Sequence, residues 1–178
     1  MVGARPTLSR YVLIAAPHTS NWDFVMMLLY GMAYNIRPQW IGKHTLFRPP
    51  FGALARALGG IPVRRDTSNN LVEQLVAQFA ARDALVLVMP PEGSRARTPF
   101  WKSGFYHVAR GARVPIVASV LDYARKEGGF GPTLLPGADL SADMDLLRAF
   151  YADKCGLHPA LQGPVRLRQE SDGHADEG

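Results

Sequence analysis

The chain has 178 residues, 47% of them hydrophobic and only 20% charged, which suits one domain with a sizeable core and excludes a disordered chain. Its one cysteine, Cys155, excludes a disulfide framework or a thiolate zinc cluster and fits a reducing compartment. The formal net charge is +5, and sixteen of the twenty basic residues are arginine, which points to an anionic partner without naming it.

Along the chain, short apolar runs alternate with amphipathic stretches, the pattern of an α/β fold with a mixed, mostly parallel sheet flanked by helices. The opening, Met1 to Arg5 followed by Pro6 and Arg10, lacks the sustained apolar core of a signal peptide. Tyr11 to Ala16 reads as a buried strand. Trp22 to Ile36 reads as a helix apolar almost all round, either buried or facing lipid. Its longest uncharged stretch, Phe24 to Ile36, has 13 residues, short of the ~20 that span a bilayer. Gln39 to Gly42 and Ile61 to Val63 read as further strands. Asn69 to Arg82 carries Leu71, Val72, Leu75, Val76 and Phe79 at helical spacing, with Ser68 or Asn69 as its cap. The unbroken run Ala84 to Met89, stopped by Pro90-Pro91, has the profile of a central strand covered on both faces. Ser103 to Ala112 reads as a helix and Pro115 to Leu121 as a strand. The cluster Gly128 to Pro132 reads as the turn into an antiparallel strand, Thr133 to Leu135. Ser141 caps a last helix, with Asp143 and Asp145 in its first turn, and from Gly156 to Gly178 a polar, mobile tail is expected. No internal repeat or linker is visible, so one domain, residues 1–155, is expected ahead of that tail.

Two segments carry chemistry. Pro17-His18-Thr19-Ser20-Asn21-Trp22-Asp23 follows the first strand, where open α/β folds place working residues. Five residues apart on one helix, His18 and Asp23 would point about 140° away from each other. They meet only if His18 lies in the turn and Asp23 in the first helical turn, with Ser20 or Asn21 as cap. Asp23 can then fix the imidazole tautomer and leave the other ring nitrogen as general base. By itself the pair also fits a capping aspartate beside an incidental histidine. The second segment, Glu92-Gly93-Ser94-Arg95, follows the central strand. Gly93 permits a tight turn, Ser94 offers a hydroxyl and Arg95 a planar fork for phosphate, with Lys102 and Gly104 soon after.

Taken in order, these segments resemble the blocks of the glycerolipid acyltransferase family that acylates glycerol 3-phosphate and 1-acylglycerol 3-phosphate. His18 to Asp23 is similar to its His-x-x-x-x-Asp block. Phe51-Gly52 with Gly59 to Arg65 is similar to the second block, whose arginine falls at Arg65. Glu92 to Arg95 is similar to Glu-Gly-Thr-Arg, with Ser94 keeping the hydroxyl, and Val114 to Val117 to the hydrophobic fourth block. The resemblance runs from about Ile14 to Val120 and, at its widest, through Tyr123. It implies a glycerolipid-acyltransferase-like fold and an O-acyltransferase of phospholipid biosynthesis, in which His18 deprotonates an acceptor hydroxyl and Asp23 orients it. It further implies that Lys43, Arg65 and Arg95 bind the acceptor phosphate, with Glu92, Gly93 and Ser94 shaping the site. Glu92 reads equally as an anchor of the turn, a ligand for acceptor hydroxyls or half of a salt bridge to a neighbouring arginine. The expected acceptor is a lysophospholipid, 1-acyl-sn-glycerol 3-phosphate, and the donor is acyl-CoA or acyl-carrier protein, with no cofactor and no metal. Another lipid or glycolipid acceptor remains open.

The charge is regional: Arg37 to Arg113 holds twelve Lys/Arg against four Asp/Glu, a net of +8, whereas the last 23 residues carry two Arg against two Asp and two Glu. A non-catalytic basic domain binding lipid or nucleic acid would share that charge but would leave the four blocks unexplained. No nucleic acid is therefore expected, and the chain is read as cytoplasmic and peripherally associated with a membrane, an attachment for which Phe47-Arg48-Pro49-Pro50-Phe51 has a suitable composition. Phe24 to Tyr30 reads as core or as the lining of an acyl site. His44, His107 and Cys155 read as structural.

Overall fold

The apolar runs become strands and the amphipathic stretches become helices in the computed structural model, which describes residues 3–63 and 68–172. The strands are β1 (Arg10–Ala15), β2 (Pro38–Lys43), β3 (Gly60–Val63), β4 (Leu85–Met89), β5 (Ile116–Asp122) and β6 (Glu127–Leu134). The helices are α1 (Trp22–Ala33), α2 (Gly52–Ala57), α3 (Ser68–Ala80), α4 (Gly104–Ala112), α5 (Leu140–Tyr151) and the short α6 (Arg168–Asp172). One sheet of order β3-β2-β4-β1-β5-β6 results, parallel except for β6, which runs antiparallel to β5. The expected α/β class, with a mostly parallel sheet and flanking helices, is the fold observed. As the unbroken apolar run of β4 requires, that strand lies inside the sheet, between β2 and β1.

The two faces of the sheet are covered differently. On one, Val12, Ile14, Leu87, Ile116 and Ala118 join Leu75 and Phe79 of α3, Phe105 and Val108 of α4, and Met144 and Leu147 of α5 in a single cluster, each at most 1% exposed. On the other, Tyr11, Leu13, Val88, Val117 and Phe130 meet Met27 and Tyr34 from the α1 segment. Helix α1 is neither wholly buried nor wholly packed. Only Asp23 and Gly31 are buried, while Trp22, Val25, Leu29 and Met32 form an exposed stripe. The helix stops at Ala33, three residues before the expected end, because Asn35 takes a left-handed conformation (φ 51°) and Ile36 N–H turns back to the Gly31 carbonyl at 2.8 Å.

Three expectations are corrected. Gly128 to Pro132 is not a turn but the body of β6. These glycines are open spaces for aromatic rings: a side chain at Gly128 would meet the Tyr30 ring at 2.4 Å, and one at Gly131 the Phe150 ring at 2.4 Å. The turn lies earlier, at residues 123–126, where Asp122 Oδ1 accepts from the Ala124 and Arg125 amides at 3.1 Å each. Helix α5 is capped by Asp139, which accepts from Ala142 N–H at 3.0 Å, and not by Ser141. The segment after Gly156, expected to be mobile, packs as far as residue 172. Leu167 is fully buried beside Trp101, whose amide donates to the Arg166 carbonyl at 2.8 Å. Apolar burial of one leucine and that bond anchor a stretch whose polar composition hides both. The Ser68 or Asn69 cap and Arg65 lie outside what the structure describes at side-chain level.

Candidate active site

Strands β1 and β4 lie side by side, Ile14 opposite Met89, so the loops that leave their carboxyl ends start from the same edge of the sheet. The first loop carries His18, the second Glu92 to Arg95, which brings two residues 74 positions apart, His18 and Glu92, together where open α/β sheets bind ligands.

His18 sits in the loop and Asp23 in the first turn of α1, after Asn21 at the cap position, so the condition under which the two can meet is fulfilled. Asp23 Oδ2 accepts from His18 Nδ1 at 3.0 Å and from the Thr19 and Ser20 amides, also at 3.0 Å. The carboxylate thereby serves the imidazole and two backbone amides of the loop that precedes the helix. Its other oxygen, Oδ1, accepts from the Tyr123 hydroxyl at 2.7 Å. Burial pushes the Asp23 carboxyl up, but the hydrogen bonds from His18, Tyr123 and Ser20 outweigh it and hold the group below the ordinary aspartate value. A carboxylate so held stays ionised, keeps the proton of His18 on Nδ1, and leaves Nε2 as the basic nitrogen.

Glu92 is 3% exposed and lies behind the histidine: its Oε1 accepts from the His18 backbone amide at 3.1 Å. Among the described residues it makes no salt bridge to arginine, and Oε2 is buried without a partner. Burial therefore raises its pKa above the ordinary value, against the lowering effect of the His18 amide. Of the roles open to it, anchoring the loop that carries His18 is the one this geometry matches. Gly93 has φ 68°, so the tight turn needs glycine for its conformation; the flexible Lys102 side chain lies over it, 2.7 Å from where a side chain would start. Ser94 is exposed and donates to the Ala96 carbonyl at 3.4 Å.

A cavity of about 1390 Å³ opens over this edge. His18, Asp23, Gly93, Ser94 and Arg95 line it, joined by Lys102, while Leu13, Val88, Met27, Tyr30, Tyr34 and Phe130 give it an apolar wall beneath α1. The part of Phe24 to Tyr30 that faces inward is thus cavity lining, as the sequence allowed. Lys43 ends β2 at the same edge of the sheet but is exposed and is not among the lining residues. Arg65 lies outside the described residues. Three contributors escaped the sequence reading as site residues: Lys102, Tyr123, and Arg168, which lines the cavity from the C-terminal segment, its guanidinium 5.5 Å from the Phe100 ring centroid. Lys102 carried a signal, since it stands in the loop seven residues after Arg95, whereas nothing local marks Tyr123 or Arg168. His107, read as structural, also reaches the cavity wall; Cys155 is not among the lining residues, and its Sγ lies against the Gly156 carbonyl.

A family model described as Acyltransferase matches residues 4–122, more than half of the chain. No curated protein matches it. Among solved structures, the 1-acyl-sn-glycerophosphate (LPA) acyltransferase PlsC from Thermotoga maritima is similar, with a TM-score of 0.53 and 16% identity, over 97% of this chain and 70% of that one. At that identity the likeness concerns the fold. Since the matched span runs from before β1 to the end of β5 and encloses both loops that meet at His18, the chain belongs to the Acyltransferase family.

Proposed function

We propose that this acyltransferase moves a fatty acyl group from an acyl thioester, acyl-CoA or acyl-carrier protein, to the hydroxyl of 1-acyl-sn-glycerol 3-phosphate, giving phosphatidic acid. The observation that carries the reading is the His18–Asp23 pair, 3.0 Å apart, on the wall of a large, mainly apolar cavity that Arg95 and Lys102 also line. His18 Nε2 takes the proton of the acceptor hydroxyl as its oxygen attacks the thioester carbonyl, and Asp23 stabilises the imidazolium that forms. The tetrahedral intermediate collapses, the C–S bond breaks, and the leaving thiolate takes the proton from His18. A thiol pKa near 8.5 makes that departure easy. Neither step calls for a cofactor or an acyl-enzyme, and Cys155 is not needed.

The apolar wall beneath α1 suits an acyl chain, and Arg95 and Lys102 suit the acceptor phosphate, with Arg65 as the second block's contributor. Lys43, exposed at the end of β2, would meet the head group only outside the cavity.

The lyso-lipid is taken from a membrane on whose surface the protein sits. No helix among the described residues is long and apolar enough to cross a bilayer. Among the described residues, seven of the twelve exposed large apolar side chains lie on α1, on α2 or between them, among them Trp22 at 62%, Met32 at 71% and Phe51 at 68%. From Phe24 to Arg65 there is no acidic residue but six basic ones, a composition matched to an anionic lipid surface.

Transfer of a labelled acyl group from acyl-CoA or acyl-carrier protein to a panel of lyso-lipids tests the reading. Formation of phosphatidic acid in preference to other products supports it; preference for another acceptor replaces the substrate, and no transfer to any acceptor, with or without vesicles, overturns it.

A further inference from the structure

Tyr123 stands one residue past the matched family span and outside the four sequence blocks. Its hydroxyl nevertheless donates to Asp23 Oδ1 at 2.7 Å, across 100 residues of chain. The partner oxygen, Oδ2, already accepts from His18 Nδ1 and from two backbone amides, all supplied by residues 18–20. A carboxylate's terminal torsion is soft. Donors gathered on one oxygen hold that oxygen but leave the other free to swing, and a swing tilts the carboxylate plane away from the imidazole.

The phenol is well placed to stop it. Tyr123 follows β5 directly, and its amide donates to the Cys155 carbonyl at 2.9 Å. Asp122, 2% exposed, ties the turn beyond it through two amides and through Arg125, at 2.7 Å. The sheet therefore holds the tyrosine backbone independently of the loop that carries His18. Burial, with the Asp23 bond adding to it, raises the phenol well above its ordinary pKa, so at working pH it is a donor.

We infer that Tyr123 is a positioning residue for the dyad: its hydroxyl locks the Asp23 carboxylate in the plane that presents Oδ2 to His18 Nδ1, and so keeps the imidazole in the tautomer with Nε2 free. The inference rests on the reading of His18 as general base. Hydrogen bonds to charged groups are worth enough that removing this one lowers kcat about tenfold to a hundredfold.

The test is Tyr123→Phe, which keeps the ring and removes only the hydroxyl. In the acyl-transfer assay kcat falls by that factor, KM for donor and acceptor stays within about twofold, and the melting temperature hardly moves. With Asp23→Ala already in place, adding Tyr123→Phe costs less than about twofold, because the group through which Tyr123 acts is gone. The signature that needs no turnover is the ¹⁵N spectrum of His18: the wild-type imidazole is Nδ1-protonated, and Tyr123→Phe shifts it toward a mixture of tautomers. An unchanged tautomer overturns the inference, as does a kcat within about twofold of wild type or an equal loss in the Asp23→Ala background. Should the wild type transfer no acyl group at all, the proposed function falls, and the ¹⁵N comparison alone decides the role of Tyr123.

Discussion

One face of the sheet is sealed by three helices, α3, α4 and α5, and the other is roofed by α1 alone. On the sealed face Phe79, Phe105, Met144 and Leu147 are at most 1% exposed. Under α1 the sheet's apolar surface is only partly covered and the helix turns a second apolar stripe outward; the cavity of about 1390 Å³ has its apolar wall there and is also lined by Leu71 and Val72 of α3 and Phe105 of α4. Burial of apolar area stabilises the fold at about 25 cal/mol per Å². The sealed face therefore carries most of the stability, while the thinly roofed face is free to hold a ligand. The difference also explains how the carboxylates of Asp23 and Glu92 are tolerated: both lie at the edge where the two faces meet, and backbone amides supply most of their partners.

The largest effects should separate the two faces cleanly. His18→Ala is expected to lower kcat about a thousandfold or more while changing unfolding free energy by less than about 1 kcal/mol. Leu147→Ala, in the sealed face, should do the reverse: about 2–5 kcal/mol of stability lost in urea unfolding, with activity per folded molecule retained. Comparable losses of stability from both would erase the division. Next in size, Arg95→Ala should raise the acceptor's KM about tenfold or more and leave the donor's nearly unchanged, since one charge-assisted contact is removed. An equal rise for both substrates would move the phosphate site elsewhere. On the outer side of α1, Trp22→Gln with Met32→Gln should abolish most of the binding to anionic vesicles without weakening the fold, read by co-sedimentation and by melting temperature. Full retention of binding would remove α1 from the membrane contact.

The smallest expected effect is a matter of pH. The folded pKa of Glu92 lies above its unfolded value near 4.3, so the unfolded chain loses this proton first and stability falls as pH rises through that window. Glu92→Gln removes the loss: calorimetry should find the variant's melting temperature gaining on wild type between pH 4 and pH 7. Asp23 acts in the opposite sense, its stabilisation being present above the unfolded value near 3.9 and lost as pH falls through the lower folded one. A variant that loses ground over that interval would contradict the raised carboxyl.

Much of this was legible in the residues. β4 and α3 were recognisable because their signals are local, an unbroken apolar run and a helical spacing of Leu71, Leu75 and Phe79. The His18–Asp23 contact was legible as a condition, a turn followed by a helix start, and that condition is local too. The misreadings share a cause. Gly128 and Gly131 look like turn residues until Tyr30 and Phe150 are seen lying over them. The segment after Gly156 looks mobile until Leu167 is seen buried beside Trp101. In each case the partner lies about 20 to 100 residues away and leaves no mark on the local pattern.

The opening composition called for an anionic partner, and the sequence by itself determined the α/β class, most of the strands and longer helices and the two loops where candidate site residues stand, because hydrophobic period, caps and breakers act between near neighbours. Tertiary structure alone decided that those loops meet, through the parallel pairing of β1 with β4. It decided that Glu92 stands behind the histidine, and that α1 leaves one apolar stripe exposed. It also decided that Tyr123 closes the hydrogen bonding of Asp23. These are matters of which distant groups share a burial site, and only the packed chain sets them.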